Sequence, residues 1–155
     1  MLARVERTTD LVLAAGAIAF TDLAANKNPL AGMQLKFWVE EPEMLVDLSA
    51  KITFSDATGA LLTAFTIYVD GVDIANGSNG LAAFTPTIAY VYTLSFGRVV
   101  RLAKGEHTAE LRAKTLGGSA TTINGGTVPC ELVVVRHSHV GTLGHGVESK
   151  TQLIQ

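Results

Sequence analysis

Apolar and polar residues alternate along this chain with a period of two, and only a β-strand puts every second side chain on one face. Met33, Leu35, Phe37 and Val39 interleave with Gln34, Lys36 and Trp38, and Leu48, Ala50, Ile52 and Phe54 interleave with Ser49, Lys51, Thr53 and Ser55. The same rhythm returns where Tyr90, Tyr92, Leu94 and Phe96 oppose Val91, Thr93 and Ser95, and where His107, Ala109, Leu111 and Ala113 oppose Thr108, Glu110, Arg112 and Lys114. Residues 60–69 are almost continuously apolar and β-branched, as expected of a strand covered on both faces, and they end at Asp70-Gly71, a two-residue hairpin signal. Leu132, Val133, Val134 and Val135 form a second such run, with Pro129 admissible only at its start.

Between these runs lie turn clusters: Asp56-Ala57-Thr58-Gly59, Asn76-Gly77-Ser78-Asn79-Gly80, Lys104-Gly105-Glu106 and Asn124-Gly125-Gly126. Asn76-Gly77-Ser78 also spells a glycosylation sequon, but its Asn-Gly pairs serve a turn first. Residues 40–48, with Pro42 near the start, predict at most a turn or two of helix. About seven to nine strands at this spacing predict an all-β antiparallel β-sandwich or jelly roll. The expected organisation is an extended N-terminal arm over residues 1–9, a sandwich domain over 10–137 and a glycine-interrupted C-terminal arm over 138–155.

Only 17% of the residues are charged, against about 25% in an ordinary soluble domain, while 48% are hydrophobic. So little charge leaves a monomer's surface poorly covered and predicts a homo-oligomer. Arg4 and Arg7 before the apolar residues 11–20 resemble the start of a secretory signal. Glu6 and Asp10 spoil that basic leader, and the segment reads as a first strand. The apolar run is also too short for a membrane-spanning helix, so no membrane partner is expected. Nucleic acid is not expected either, because no cluster of Lys and Arg provides concentrated positive charge for phosphates.

Catalytic chemistry has few carriers. The lone Cys130 excludes an internal disulfide and reads as a small buried hydrophobe in a strand. His137 and His139, two apart, would share one strand face and make two metal ligands, with His145 or a neighbouring subunit as a possible third. Two ligands do not complete a site, and the histidines read instead as the polar end of a strand. Glu40, Glu41 and Glu43 lack the bend glycine of a calcium loop and are interrupted by Pro42. No glycine loop follows a strand and opens a helix, so none cradles a phosphate. No cofactor and no enzymatic activity are expected.

Tyr68-Val69-Asp70-Gly71-Val72 and, some thirty residues later, Leu102-Ala103-Lys104-Gly105-Glu106-His107-Thr108-Ala109-Glu110-Leu111-Arg112 resemble a pattern in virion proteins of tailed phages. Those proteins have a jelly roll similar to the globular heads of tumour necrosis factor and complement. The resemblance spans residues 48–135 and pairs a "DG" hairpin with a "GxHT" turn at which the chain reverses. It implies a homotrimer about a three-fold axis, located on the virion as a capsid decoration or fibre protein, with the major capsid protein or another virion component as partner. The alternative class is a receptor- or carbohydrate-binding sandwich of a fibre or surface protein. Trp38 is either a lid over a core edge or a subunit contact, and the face of Tyr90, Tyr92 and Phe96 is either core or subunit interface; together these four are the candidate subunit interface.

Overall fold

The computed structural model describes residues 1–13, 21–22, 33–56, 62–75, 77–86, 90–116, 120–124, 126 and 128–137. Its strands are β1 (Ala3–Arg7), β2 (Asp10–Leu13), β3 (Thr21–Asp22), β4 (Gln34–Asp56), β5 (Leu62–Val69), β6 (Val72–Asp73), β7 (Ala82–Phe84), β8 (Val91–Leu116), β9 (Thr121–Asn124) and β10 (Cys130–Arg136). None of the described residues is helical. The strands join in the order β1-β10-β4-β8-β5-β6, with β9 on β4, β2 on β9, β3 on β8 and β7 on β5. Every pairing is antiparallel. The fold is an antiparallel β-sandwich of the jelly-roll class, as the alternation predicts.

Two strands build both layers. β4 has 23 residues and β8 has 26, several times the usual strand of about 5–6. The second half of β4 and the first half of β8 lie in one layer with β1 and β10, called layer I here. The first half of β4 and the second half of β8 lie with β5, β6 and β7 in layer II. The crossing falls where β4–β8 pairing jumps from Val39↔Gly105 to Glu43↔Ala103, so that four steps along β4 accompany two along β8. Such a bulge bends and twists its strand. Gly105 sits at φ 148°, a conformation open to glycine but not to other residues, and Pro42 falls in the unpaired stretch, where its missing N–H costs no ladder bond.

The layers close on a shared core. Phe54 of layer I meets Phe65 of β5 at 5.1 Å between ring centroids, and Phe65 meets Phe96 at 6.1 Å. Leu48, Ile52, Leu132 and Val134 of layer I and Val39, Ile67 and Leu111 of layer II are fully buried in the same cluster. At one end of the sandwich three buried threonines, Thr63, Thr121 and Thr115, satisfy one another through their hydroxyls at 3.2 and 3.3 Å. Cys130 is buried as expected, with its Sγ near the Thr53 N–H at 3.4 Å, and burial pushes its thiol above the ordinary range.

Three local expectations are corrected. Residues 40–48 form no helical turn and continue β4, because Met44, Val46 and Leu48 keep the two-residue period into the core. Lys104-Gly105-Glu106 does not reverse the chain; β8 runs through it and Gly105 supplies the bulge. Ala3–Arg7 is not a free arm but the edge strand of layer I, in register from Ala3↔Val134 to Arg7↔Cys130. The edge of β10 offers unpaired backbone groups, and Leu2, Ala3 and Val5 bring apolar surface that packs against the core. The Asp70-Gly71 hairpin forms as read, with φ of 51° and 79°, both positive as a type I′ turn needs. Thr63, Ala64, Phe65, Thr66 and Ile67 are all buried, so β5 is covered on both faces. The expected C-terminal arm lies outside the described residues.

Candidate interaction face and the Asp70–His107 junction

Each layer turns one face to the core and one outwards, and the outward faces differ in chemistry. On layer II the outward row of β4 is Gln34, Lys36 and Trp38, set against Glu110, Thr108 and Glu106 of β8. The next rows pair Glu110, Arg112 and Lys114 with Tyr68, Thr66 and Ala64 of β5, where Lys114, Thr66 and Ala64 are themselves buried. These polar groups satisfy one another. Gln34 donates to Glu110 at 2.7 Å, Arg112 donates to Glu110 at 2.8 Å while its guanidinium lies 3.9 Å over the Tyr68 ring, and Lys36 meets Glu106 at 3.0 Å. The Lys114 ammonium donates to the Ser78 carbonyl.

On layer I the cross-strand rows read Val135, Asp47, Val99; then Val133, Ser49, Gly97; then Glu131, Lys51, Ser95. Farther along β8, Thr93 and the exposed Val91 continue the outward row. The centre of this face therefore mixes valine, serine and glycine with the charged Asp47 and Lys51 of β4. Gly97 is there because the backbone comes close: a Cβ on it would stand 2.5 Å from the Leu48 carbonyl oxygen. Next to it lies an open depression of about 410 Å³ bordered by Ser49, Lys51, Ser95, Glu131 and Val133. Arg4 pairs with Glu131 at its margin at 3.2 Å, and Arg101 pairs with Glu43 at 3.1 Å farther along, beside the bulge. Among the described residues, residues 91–103 of β8 pair with β4 on one side and with no strand on the other.

The two segments that carry the virion-protein resemblance meet in space. Asp70, at the β5–β6 turn, donates its backbone N–H to the Thr108 carbonyl at 2.9 Å and accepts the Thr108 N–H on Oδ1 at 2.8 Å. Its Oδ2 lies 2.7 Å from His107 Nδ1, and His107 Nε2 lies 2.8 Å from the Ala103 carbonyl across the bulge. Burial opposes the charge on both side chains. The hydrogen bonds and mutual attraction outweigh it, raising the His107 pKa above its ordinary value and holding the Asp70 pKa below its own.

Of the aromatic residues proposed from sequence, Tyr90 and Tyr92 meet at 6.5 Å between ring centroids and Tyr92 is linked to Phe96 through Phe54 and Phe65, whereas Trp38 stands apart. Trp38 (54% exposed) stands on the outer face of layer II, and Tyr90 (63% exposed) precedes β8 at the opposite end of that strand. Tyr92 and Phe96 point inwards: Tyr92 joins Phe54 and Phe84, at 5.6 and 4.5 Å, and Phe96 stacks on Phe65. The outward partners of that row, Val91, Thr93 and Ser95, follow from the same alternation by parity. The Asp70–His107 contact carries no such signal, since 37 residues separate its ends. Glu41 and Glu43 pair with Arg136 and Arg101. His137 donates its backbone N–H to the Leu45 carbonyl at 2.9 Å; His139 and His145 lie outside the described residues. Among the described residues no three His, Cys, Asp or Glu side chains gather as a metal site.

No protein-family model matches the chain, and no curated protein matches its sequence. Solved structures do. A tumour necrosis factor of S. frugiperda, Eiger, aligns at TM-score 0.49 and 12% identity over 88% of this chain and 93% of its own. A chain of infectious bursal disease virus, Gx strain, aligns at TM-score 0.48 and 12% identity over 90% of this chain, which spans only 33% of the viral chain. The carbohydrate-binding module CBM36 aligns at TM-score 0.39 and 11% identity over 86% of this chain and all of its own. Likenesses this distant leave function to the chemistry of the faces.

Proposed function

We propose that this chain is a non-enzymatic structural protein of a virion, a homotrimeric capsid decoration protein of the tailed-phage type, held to its neighbours through the outer face of layer I. The observation that carries the reading is the contrast between the outer faces. Layer II pairs its charges with one another around the exposed Trp38, whereas layer I presents Val99, Val133, Val135, Ser49 and Gly97 around Asp47 and Lys51, a mixed surface of the kind found in subunit contacts. The low overall charge and the meeting of the two resemblance-bearing segments support the same reading. An acid–base role for His107 is disfavoured because both of its ring nitrogens are engaged.

A sugar-binding reading needs aromatic rings gathered beside polar groups. Tyr90 meets Tyr92, which packs on Phe84, but the exposed Trp38 lies across from Glu106, 16 residues along the chain from Tyr90, on the order of 50 Å of strand. The decisive experiment is solution mass by light scattering over a range of concentrations, with and without a chelator. A stable particle of about three times 16.3 kDa supports the trimer. A monodisperse monomer removes it and moves the receptor- or carbohydrate-binding reading forward.

A further inference from the structure

We propose that the Asp70–His107–Ala103 junction is a protonation latch: with its imidazole doubly protonated, His107 ties the β5–β6 turn to the bend of β8, and loss of one proton opens one of the two ties. The geometry requires this. A carboxylate and a backbone carbonyl can only accept, so contacts of 2.7 Å to Asp70 Oδ2 and 2.8 Å to the Ala103 oxygen need an N–H on each ring nitrogen. A neutral imidazole has one N–H and leaves the other nitrogen's lone pair facing an oxygen lone pair. The side chain is 12% exposed, so water has little access to repair the mismatch.

The position of the ties gives them leverage. The Ala103 contact spans Gly105, where β8 crosses from layer I to layer II, and the Asp70 contact holds the turn that begins β6. From β4 the group facing the imidazole is the uncharged Phe37 ring, at 5.7 Å. Lys36 and Glu106 pair with each other on the opposite face, so Asp70 is the charge that acts on His107. The direction of the effect follows. His107, with its pKa raised on folding, contributes stability that is complete below about pH 6.5 and is lost as pH rises through the folded value. Asp70, with its pKa lowered, contributes stability present above its ordinary value and lost as pH falls through the folded one. The latch is closed between those limits.

The test is an NMR titration of the His107 ring, assigned by its loss in His107→Gln, with hydrogen exchange at the Asp70 and Thr108 amides. The expected wild-type midpoint lies above about 6.5, and amide protection, corrected for intrinsic rates, falls through the same midpoint. In Asp70→Asn the new amide can donate to Nδ1 while Nε2–H donates to Ala103, so a neutral ring keeps both ties. Its midpoint is expected to fall below the wild-type value, with amide protection retained on the alkaline side. A wild-type midpoint at or below about 6.5, or an Asp70→Asn midpoint equal to wild type, overturns the latch. If Asp70→Asn fails to fold, the wild-type titration and exchange decide alone.

Discussion

The two outer faces are built on the same two strands and differ in how their polar groups are satisfied. On layer II, Gln34, Glu110, Arg112 and Tyr68 form one connected patch, so water and protein are equally acceptable neighbours. On layer I the valines of β8 and β10 flank Asp47, Ser49 and Lys51 of β4 beside an open depression, and the ion pairs Arg4–Glu131 and Arg101–Glu43 are separate from one another. A single strand can thus contribute a finished surface at one end and an unfinished one at the other. What separates them is which neighbours the bulge at Gly105 brings alongside.

That comparison can be broken or sharpened by substitution. Phe65→Ala removes the ring that contacts both Phe54 and Phe96, and is expected to cost about 3–5 kcal/mol. Denaturant unfolding followed at Trp38 and by far-ultraviolet circular dichroism should still give one coincident transition; separate transitions would mean that the layers, and so the two faces, are independent units. Gly97→Ala places a methyl against the Leu48 carbonyl and should cost about 1–3 kcal/mol by the same measurement. No loss would mean that the β4–β8 spacing at Gly97 is slack.

The smallest expected effects on stability discriminate most about function. Val99→Lys on layer I and Lys36→Ala on layer II should each change unfolding free energy by less than about 0.5–1 kcal/mol. Light scattering should then show Val99→Lys as smaller particles and Lys36→Ala unchanged. Equal behaviour of the two variants would remove the distinction between the faces.

Much of the fold was legible because alternation reports directly on which side chains share a face. Leu48, Ala50, Ile52 and Phe54 are buried as their spacing predicts, and Asp70-Gly71 turns as its residue types demand. Alternation leaves the face of Tyr90, Tyr92, Leu94 and Phe96 open to core or interface, and packing decides: Tyr92 and Phe96 are half-buried against the core, while Val91 and Val99 of the other parity point outwards. A glycine between charged residues, as at Gly105, favours a reversal and a bulge alike, and the pairing with β4 decides for the bulge.

By itself the sequence determined the all-β class, most of the strands, the inward and outward sets along each, and the hairpin at residues 70–71, because these depend on contacts and torsions local to a few residues. Tertiary structure decided that β4 and β8 each serve two layers, that residues 3–7 complete an edge, and that Asp70 meets His107. Those outcomes rest on pairings between residues far apart in the chain, whose free energy exists only once the partner strand is in register.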